Sequence, residues 1–282
     1  MSPSAGQLTI GLVAGELSGD QLGGALIEAL RERLPGACFV GLTGDHMRAA
    51  GCESLGSSEE LAVMGLVEPI RHLPRLLRLR ARLRREFLAR GIDVFVGVDA
   101  PAFNLGLARW LKARGIPAAQ YVSPQVWAWR AGRIPRIARS VDAVLCLLPF
   151  EPRCYQGHPV RAPFVGHPLA DQIPLETERV AAREKLGLPG DAVVVALLPG
   201  SRHGEVSRLG AEFAAAAQSL TAVRAARGQS PPLFIAPMVN AALKAEFARL
   251  GAAAANVRLL DGQSRAALQA ATHGVIRREE LH

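Results

Sequence analysis

The sequence predicts an α/β protein made of two successive parallel-sheet units, the second of them incomplete. Three observations predict it. Short apolar, β-branched runs alternate with helical patterns up to Val165, as the crossovers of a parallel sheet require. A stretch with Pro168, Pro174 and Pro189 and a cluster of charges breaks the pattern from Gly166 to Gly190, after which the alternation restarts. A length of 282 residues, with 49% hydrophobic and 21% charged residues, is enough for two medium cores and excludes wholesale disorder.

In the first unit the expected strands are Leu8–Ala14, Cys38–Leu42, Asp93–Val98, Ala118–Val122, Ala143–Leu148 and Ala162–Val165. The expected helices are Leu22–Arg33, Leu105–Arg114 and PIRHLPRLLRLRARLRREF, which carries Pro74 in its first turn. A linker and a crossing helix follow. The second unit reads as strands Ala192–Leu198, Leu233–Ala236 and Val257–Leu260, helices Leu209–Arg227 and Ala241–Leu250, and a helix starting over Arg265–Ala271. Three strands fall short of the roughly five or six of a doubly wound sheet. His273–His282 shows no periodic apolar face, so the expectation is a chain that stops before its fold does. The domain reading is 1–168, a linker over 169–190, and 191–282.

The net charge of +8 is concentrated: residues 71–90 hold eight arginines and one glutamate, leaving the rest near neutral. That pattern argues for one localised anionic partner and against a wide nucleic-acid footprint. At 100° per residue Leu73, Leu76, Leu77, Leu83, Phe87 and Leu88 fall in an arc of roughly 140°, with Arg75, Arg78, Arg82 and Arg85 opposite and Arg80 and Arg84 inside the arc. Two readings stand: a surface helix with a buried stripe, or a face resting on an anionic membrane, with Leu61–Val67 adding apolar residues. No apolar run approaches the ~18–20 residues that cross a bilayer. Met1–Gln7 lacks the basic segment of a secretory leader, so the cytosol is the expected compartment. Cys38, Cys52, Cys146 and Cys154 have no Cys-x-x-Cys spacing; reduced thiols are expected, with no metal site.

Two strand–glycine–helix turns carry chemistry. In VAGELSGDQLGG the chain turns through Gly15, Ser18 and Gly19, where backbone N–H groups and a helix dipole gather. Ser18 can cap the helix or donate to a phosphate, while Glu16 and Asp20 suit sugar hydroxyls better than a bare diphosphate; a turn chosen for sterics is the alternative. In ALLPGSRHGEV the turn Gly200–Ser201 precedes a helix from near Glu205, and Arg202 adds a charge that pairs well with phosphate. Glu205 is also what a helix first turn favours, and His203 reads as exposed. Asp99 directly follows the strand DVFVGV, at the sheet edge where such folds place ligands, and a carboxylate there can take a proton from an alcohol; a turn cap before Pro101 is the alternative. In YVSPQVWAWR, Trp127 and Trp129 line a sugar or acyl pocket or pack in the core, and Arg130, Arg133 and Arg136 meet a phosphate or solvent.

AGELSGDQLGG, ELAVMG, GVDAPAFNL, YVSPQVWAWR, LPFEPRCY, FVGHPLAD and LLPGSRHGEV occur in this order from about Leu8 to about Ala271. Together they resemble the lipid-A-disaccharide synthases. The resemblance implies a GT-B-type glycosyltransferase, two Rossmann-like halves facing a cleft, working on UDP-sugars with no metal and no cofactor. It implies condensation of UDP-2,3-diacylglucosamine with 2,3-diacylglucosamine 1-phosphate (lipid X) to a β-1′,6-linked disaccharide 1-phosphate and UDP, with inversion. Asp99 matches the family's base, Glu16 and Ser18 (with Gly19) its first loop, and Arg202, with Ser201 and Glu205, its donor-diphosphate turn. Acylated substrates imply a peripheral protein at the inner face of the cytoplasmic membrane, with Leu73, Leu76, Leu77, Arg75, Arg78 and Arg82 at the surface; an oligomer is left open. Ala102 stands where the family usually has a second aspartate. The family continues for roughly a hundred residues more, through a Ser-Gly-Thr-rich turn and a glutamate that hold the nucleotide, so the resemblance implies truncation. The competing readings are an inactive membrane-binding fragment, a UDP-sugar epimerase of similar fold, and, weakest, a nucleic-acid binder.

Overall fold

The computed structural model describes residues 7–61, 69–129, 131–173 and 178–276. Leu61–Val67 beyond Leu61, Arg130, Glu176 and the tail after Ile276 therefore lie outside the described residues, as does the Trp129 side chain. The chain divides into two compact units, Met1–Ile173 and Pro174–His282.

The first unit runs β1 (Thr9–Ala14), α1 (Leu17–Arg33), β2 (Cys38–Thr43), α2 (Asp45–Ala49), β3 (Glu53–Ser57), α3 (Pro69–Ala89), β4 (Val94–Val98), α4 (Pro101–Lys112), β5 (Ala118–Tyr121), α5 (Val126–Trp129), α6 (Ile134–Ser140), β6 (Ala143–Leu145) and α7 (Pro168–Gln172). Its sheet is parallel, in the order β3-β2-β1-β4-β5-β6. Period-2 alternation splits β1 between two cores. Leu12 packs with Ile27, Phe39 and Met47 on one face, and Val13 with Leu83, Phe87, Phe95 and Leu107 on the other.

The second unit holds α8 (Arg179–Leu186), β7 (Val194–Leu198), α9 (His203–Ala226), β8 (Leu233–Met238), α10 (Ala241–Phe247), β9 (Val257–Asp261), α11 (Ser264–Ala270) and β10 (His273–Ile276). Its parallel sheet is ordered β10-β7-β8-β9. Phe213 and Phe247 fill one face; Ala182, Leu186, Leu260 and Ala267 fill the other. The crossing helix is thus part of this core. Buried Arg183 fixes it there, donating to the carbonyls of Ala270, Pro189 and Gly190 and to Thr272 Oγ1.

Several expectations need correction. The segment His273–Ile276, read as patternless, is a fourth strand paired with β7; four residues are too few to display a period. Ala162–Val165 is no strand, since only isolated bridges tie Arg161 to Ala143 and Phe164 to Cys146. β3 and α2 escaped notice because ESLGS is a polar edge and α2 is a single turn. Helices α1, α4 and α9 begin four to six residues earlier than the spans given above, taking the loop residues Ser18 and Pro101 into first turns, while Glu205 stands in the first turn of α9, as one of its two readings has it. Ser18 is therefore not a cap; Glu16 occupies that position.

The apolar arc of α3 is also divided. Leu79, Leu83 and Phe87 are buried and Leu76 leans on the same core, whereas Leu73 and Leu77 are 51% and 52% exposed and Leu88 is exposed too. Three buried side chains at about 1.5–3 kcal/mol each fix this helix far more firmly than an Arg82–Glu60 ion pair at 2.9 Å, a type worth about 0–1 kcal/mol. Arg80 and Arg84, anomalous within an apolar arc, face α4. Arg80 lies 4.9 Å from the Phe103 ring and donates to the Phe103 carbonyl at 3.0 Å; Arg84 lies 4.8 Å from Trp110.

Candidate functional site

The first unit reverses its strand order between β1 and β4: β2 and β3 extend one way from β1, and β4, β5 and β6 the other. The carboxyl ends of two such strands diverge into a crevice, the place where open α/β sheets bind ligands. β1 delivers Gly15, Glu16, Ser18 and Gly19 to this edge, and β4 delivers Asp99. The two loops touch. A Cβ on Gly15 would lie 2.4 Å from that of Ala100, so only glycine fits there. One on Gly19 would lie 3.6 Å from Asp99 Cβ. The structure therefore brings Gly19 and Asp99, 80 positions apart in sequence, side by side. Ser18 is exposed, and Glu16 and Asp99 are half-buried.

The backbone around Asp99 is strained. Asp99 and Ala100 both adopt left-handed conformations (φ 52° and 40°), and the neighbouring Val122, β-branched, has φ 75°. Each such residue costs of order 1–3 kcal/mol and persists only where its surroundings over-determine it. Here they do. Asp99 N–H donates to Tyr121 O at 2.9 Å, while Asp99 O accepts from Asn104 Nδ2 at 2.8 Å and Gln120 Nε2 at 2.9 Å. Neither Asn104 nor Gln120 stands among the site residues expected from the sequence. The signal for Gln120 was an amide inside a short buried strand, AAQY, which must find partners.

Asp20 corrects an expectation. It is 1% exposed and does not face a sugar. Its carboxylate accepts from the backbone N–H groups of Gly44 (2.7 Å), His46 (2.8 Å) and Met47 (3.1 Å), and contacts His46 Nδ1 at 3.1 Å. It closes the N-terminus of α2, whose own cap, Gly44, has no side chain.

In the second unit the β7–α9 turn passes through Gly200 (φ 142°), where a Cβ would sit 2.4 Å from Glu205 Cβ. Glu205 is buried, and its Oε2 accepts from Ser201 N–H at 2.9 Å and Arg202 N–H at 3.2 Å; its Oε1 lies 3.5 Å from Arg202 Nη1. Glu205 thus shapes the turn from inside. Ser201, Arg202 and His203 are exposed at the strand's carboxyl end.

Trp127 is 41% exposed and meets the exposed Phe150 edge-on, with ring centroids 5.3 Å apart. Ser123 and Tyr155 share a buried hydrogen bond of 2.8 Å beneath. Burial pushes the Cys52 and Cys146 thiols up to about 12, which leaves them protonated and inert at neutral pH. Among the described residues no cluster of His, Cys, Asp and Glu has the makings of a metal site. No described helix is long and apolar enough to cross a membrane.

Residues 10–276 match the family model for lipid-A-disaccharide synthetase. The lipid-A-disaccharide synthase of Xanthomonas campestris pv. campestris (strain 8004) is 51% identical over 267 residues, covering 93% of this chain and 60% of that protein. That of Serratia proteamaculans (strain 568) is 49% identical over 265 residues, covering 93% and 68%. The chain thus spans about 60% of the length of the Xanthomonas relative. Among solved structures, the UDP-GlcNAc 2-epimerase from Neisseria meningitidis bound to UDP-GlcNAc aligns with a TM-score of 0.58 at 8% identity, over 93% of this chain and 74% of that one. CalG4, the calicheamicin glycosyltransferase, aligns at 0.52 and 18% identity, over 95% and 73%. These structural likenesses establish an α/β fold of two Rossmann-like sheets, as expected for the GT-B type. By its matched length and its identity to these relatives, the chain belongs to the lipid-A-disaccharide synthetase family.

Proposed function

We propose that this chain is an inverting hexosyltransferase that joins UDP-2,3-diacylglucosamine to lipid X. The observation that carries the reading is Asp99 at the β1–β4 switch point, against the glycine loop, in a chain of this family. Asp99 takes the proton of the acceptor 6-hydroxyl as its oxygen attacks the donor's anomeric carbon. The bond from that carbon to the diphosphate breaks, and the electron pair leaves with UDP. Attack opposite the leaving group inverts the centre. Arg202 and the N–H groups opening α9 neutralise the charge that grows on the diphosphate, with Ser201 as a further donor and Glu205 holding the turn. Glu16, Ser18 and Gly19 hold sugar hydroxyls. The proton on Asp99 passes to solvent.

The test is UDP release from UDP-2,3-diacylglucosamine with and without lipid X. Transfer predicts release that depends on lipid X. Release or isomerisation without acceptor would point to the epimerase reading. No release, with no UDP binding by calorimetry at millimolar ligand, would favour the non-catalytic lipid-binding reading.

We also propose that α3 rests on an anionic membrane surface. Leu73 and Leu77 are exposed on one side of it, and Arg75 and Arg78 are exposed on the side opposite. Leu77→Glu is expected to weaken sedimentation with phosphatidylglycerol vesicles roughly tenfold, the loss of one partly buried leucine and the gain of a repelled charge. Equal sedimentation of both proteins would contradict this.

A further inference from the structure

We propose that the carboxamides of Asn104 and Gln120 are positioning groups for Asp99: together they clamp its main-chain carbonyl and hold residue 99 in the left-handed conformation that turns its Cβ toward Gly19. The inference rests on the reading of Asp99 as the base.

The two amides come from different elements, α4 and β5, and meet on one oxygen, Asp99 O, at 2.8 and 2.9 Å. Asn104 is 0% exposed and Gln120 is 1% exposed. Each nitrogen reaches further carbonyls as well. Asn104 Nδ2 lies 3.2 Å from Val13 O and 3.4 Å from Val98 O; Gln120 Nε2 lies 3.2 Å from Tyr121 O and 3.4 Å from Val122 O. The carbonyls that end β1, β4 and β5 therefore converge on two amide groups. Their lone pairs call for donors, and a carboxylate at either position would face them with lone pairs of its own.

The amides serve through nitrogen alone. Asn104 Oδ1 and Gln120 Oε1 are buried with no partner among the described residues. A site built only for packing would place an apolar side chain here at less cost. β4 makes room for both groups with a glycine: a Cβ on Gly97 would lie 2.6 Å from Asn104 Cβ and 3.1 Å from Gln120 Oε1. Of the five non-glycine residues with positive φ among the described residues, three, Asp99, Ala100 and Val122, lie around this carbonyl. Strain and clamp coincide at the one carboxylate that the chemistry requires.

The test compares the parent, Gln120→Met, Asp99→Ala and the double variant. Methionine keeps length and volume and removes the donor. In the crystal structure of Gln120→Met, residue 99 is expected to leave the left-handed region. With both substrates, kcat is expected to fall roughly 10- to 100-fold, part of what a positioned base contributes, with each KM within about twofold. In the Asp99→Ala background the same substitution is expected to cost almost nothing further, because the group it positions is gone. Gln120→Glu is expected to recover turnover toward low pH, where its protonated carboxyl can donate, and to lose it as pH rises. The clamp is overturned if residue 99 is unmoved in the Gln120→Met crystal structure. It is equally overturned if the kinetic loss is the same in both backgrounds or falls on KM. If the parent shows no turnover, or Asp99→Ala matches it, the reading of Asp99 as base has failed instead, and the crystal structures alone decide the clamp.

Discussion

Replacing Asp99 by alanine is expected to cut turnover roughly 10²- to 10⁴-fold with little change in either KM, the signature of a lost proton acceptor. A sugar hydroxyl is a weak nucleophile, and its proton must go somewhere as the new bond forms. Asp99 lies where the sheet directs ligands, beside a loop that Gly15 allows to approach closely. One complication is conformational: alanine tolerates a left-handed backbone less well than aspartate does, so Asp99→Ala can also relax the turn. Asp99→Asn removes that ambiguity. Asparagine is isosteric and at ease in the left-handed region, yet it cannot accept the proton at neutral pH. Both variants are therefore expected to lose turnover by similar factors. An active Asp99→Asn beside an inactive Asp99→Ala would show that the side chain's shape, not its basicity, is what matters.

Asp20→Ala is expected to destabilise the first unit by about 2–4 kcal/mol, measured as a lower urea midpoint at unchanged slope. The substitution strands three backbone N–H groups, of Gly44, His46 and Met47, at a partly buried turn. Gly44 cannot compensate, because it has no side chain. The same experiment separates the observed role from the sugar-binding role suggested by sequence. A structural cap loses stability first, whereas a sugar ligand would lose substrate affinity at full stability.

How far the sequence disclosed this molecule depended on the range of each interaction. The buried strands declared themselves through β-branched runs such as DVFVGV, because burial on both faces demands apolar residues at every position. Asp99 was legible for a related reason: it is the first polar residue past such a strand. Asp20 was misread because its partners lie 24 to 27 residues away, on a turn that sequence alone did not reveal. Gln120 gave no sign of its partner because what it holds is a main-chain carbonyl just past the adjacent strand, and main-chain partners leave no trace in residue types. Glu205 carried two readings in sequence, and its hydrogen bonds to Ser201 and Arg202 place it inside the turn. On α3 the periodicity brought Leu76, Leu83 and Phe87 to one face but left out Leu79, which is buried beside them. It could not say that one side of the arc meets the core and the other meets solvent, since that depends on where α4 packs.

The most direct test of the central claim is mass detection of product from the 282-residue chain supplied with UDP-2,3-diacylglucosamine and lipid X. The expected product is a disaccharide 1-phosphate whose mass is that of the donor's glycosyl group added to the acceptor, formed in equal amount with UDP. Recovery of both substrates unchanged, from protein that calorimetry shows to bind them, would contradict it.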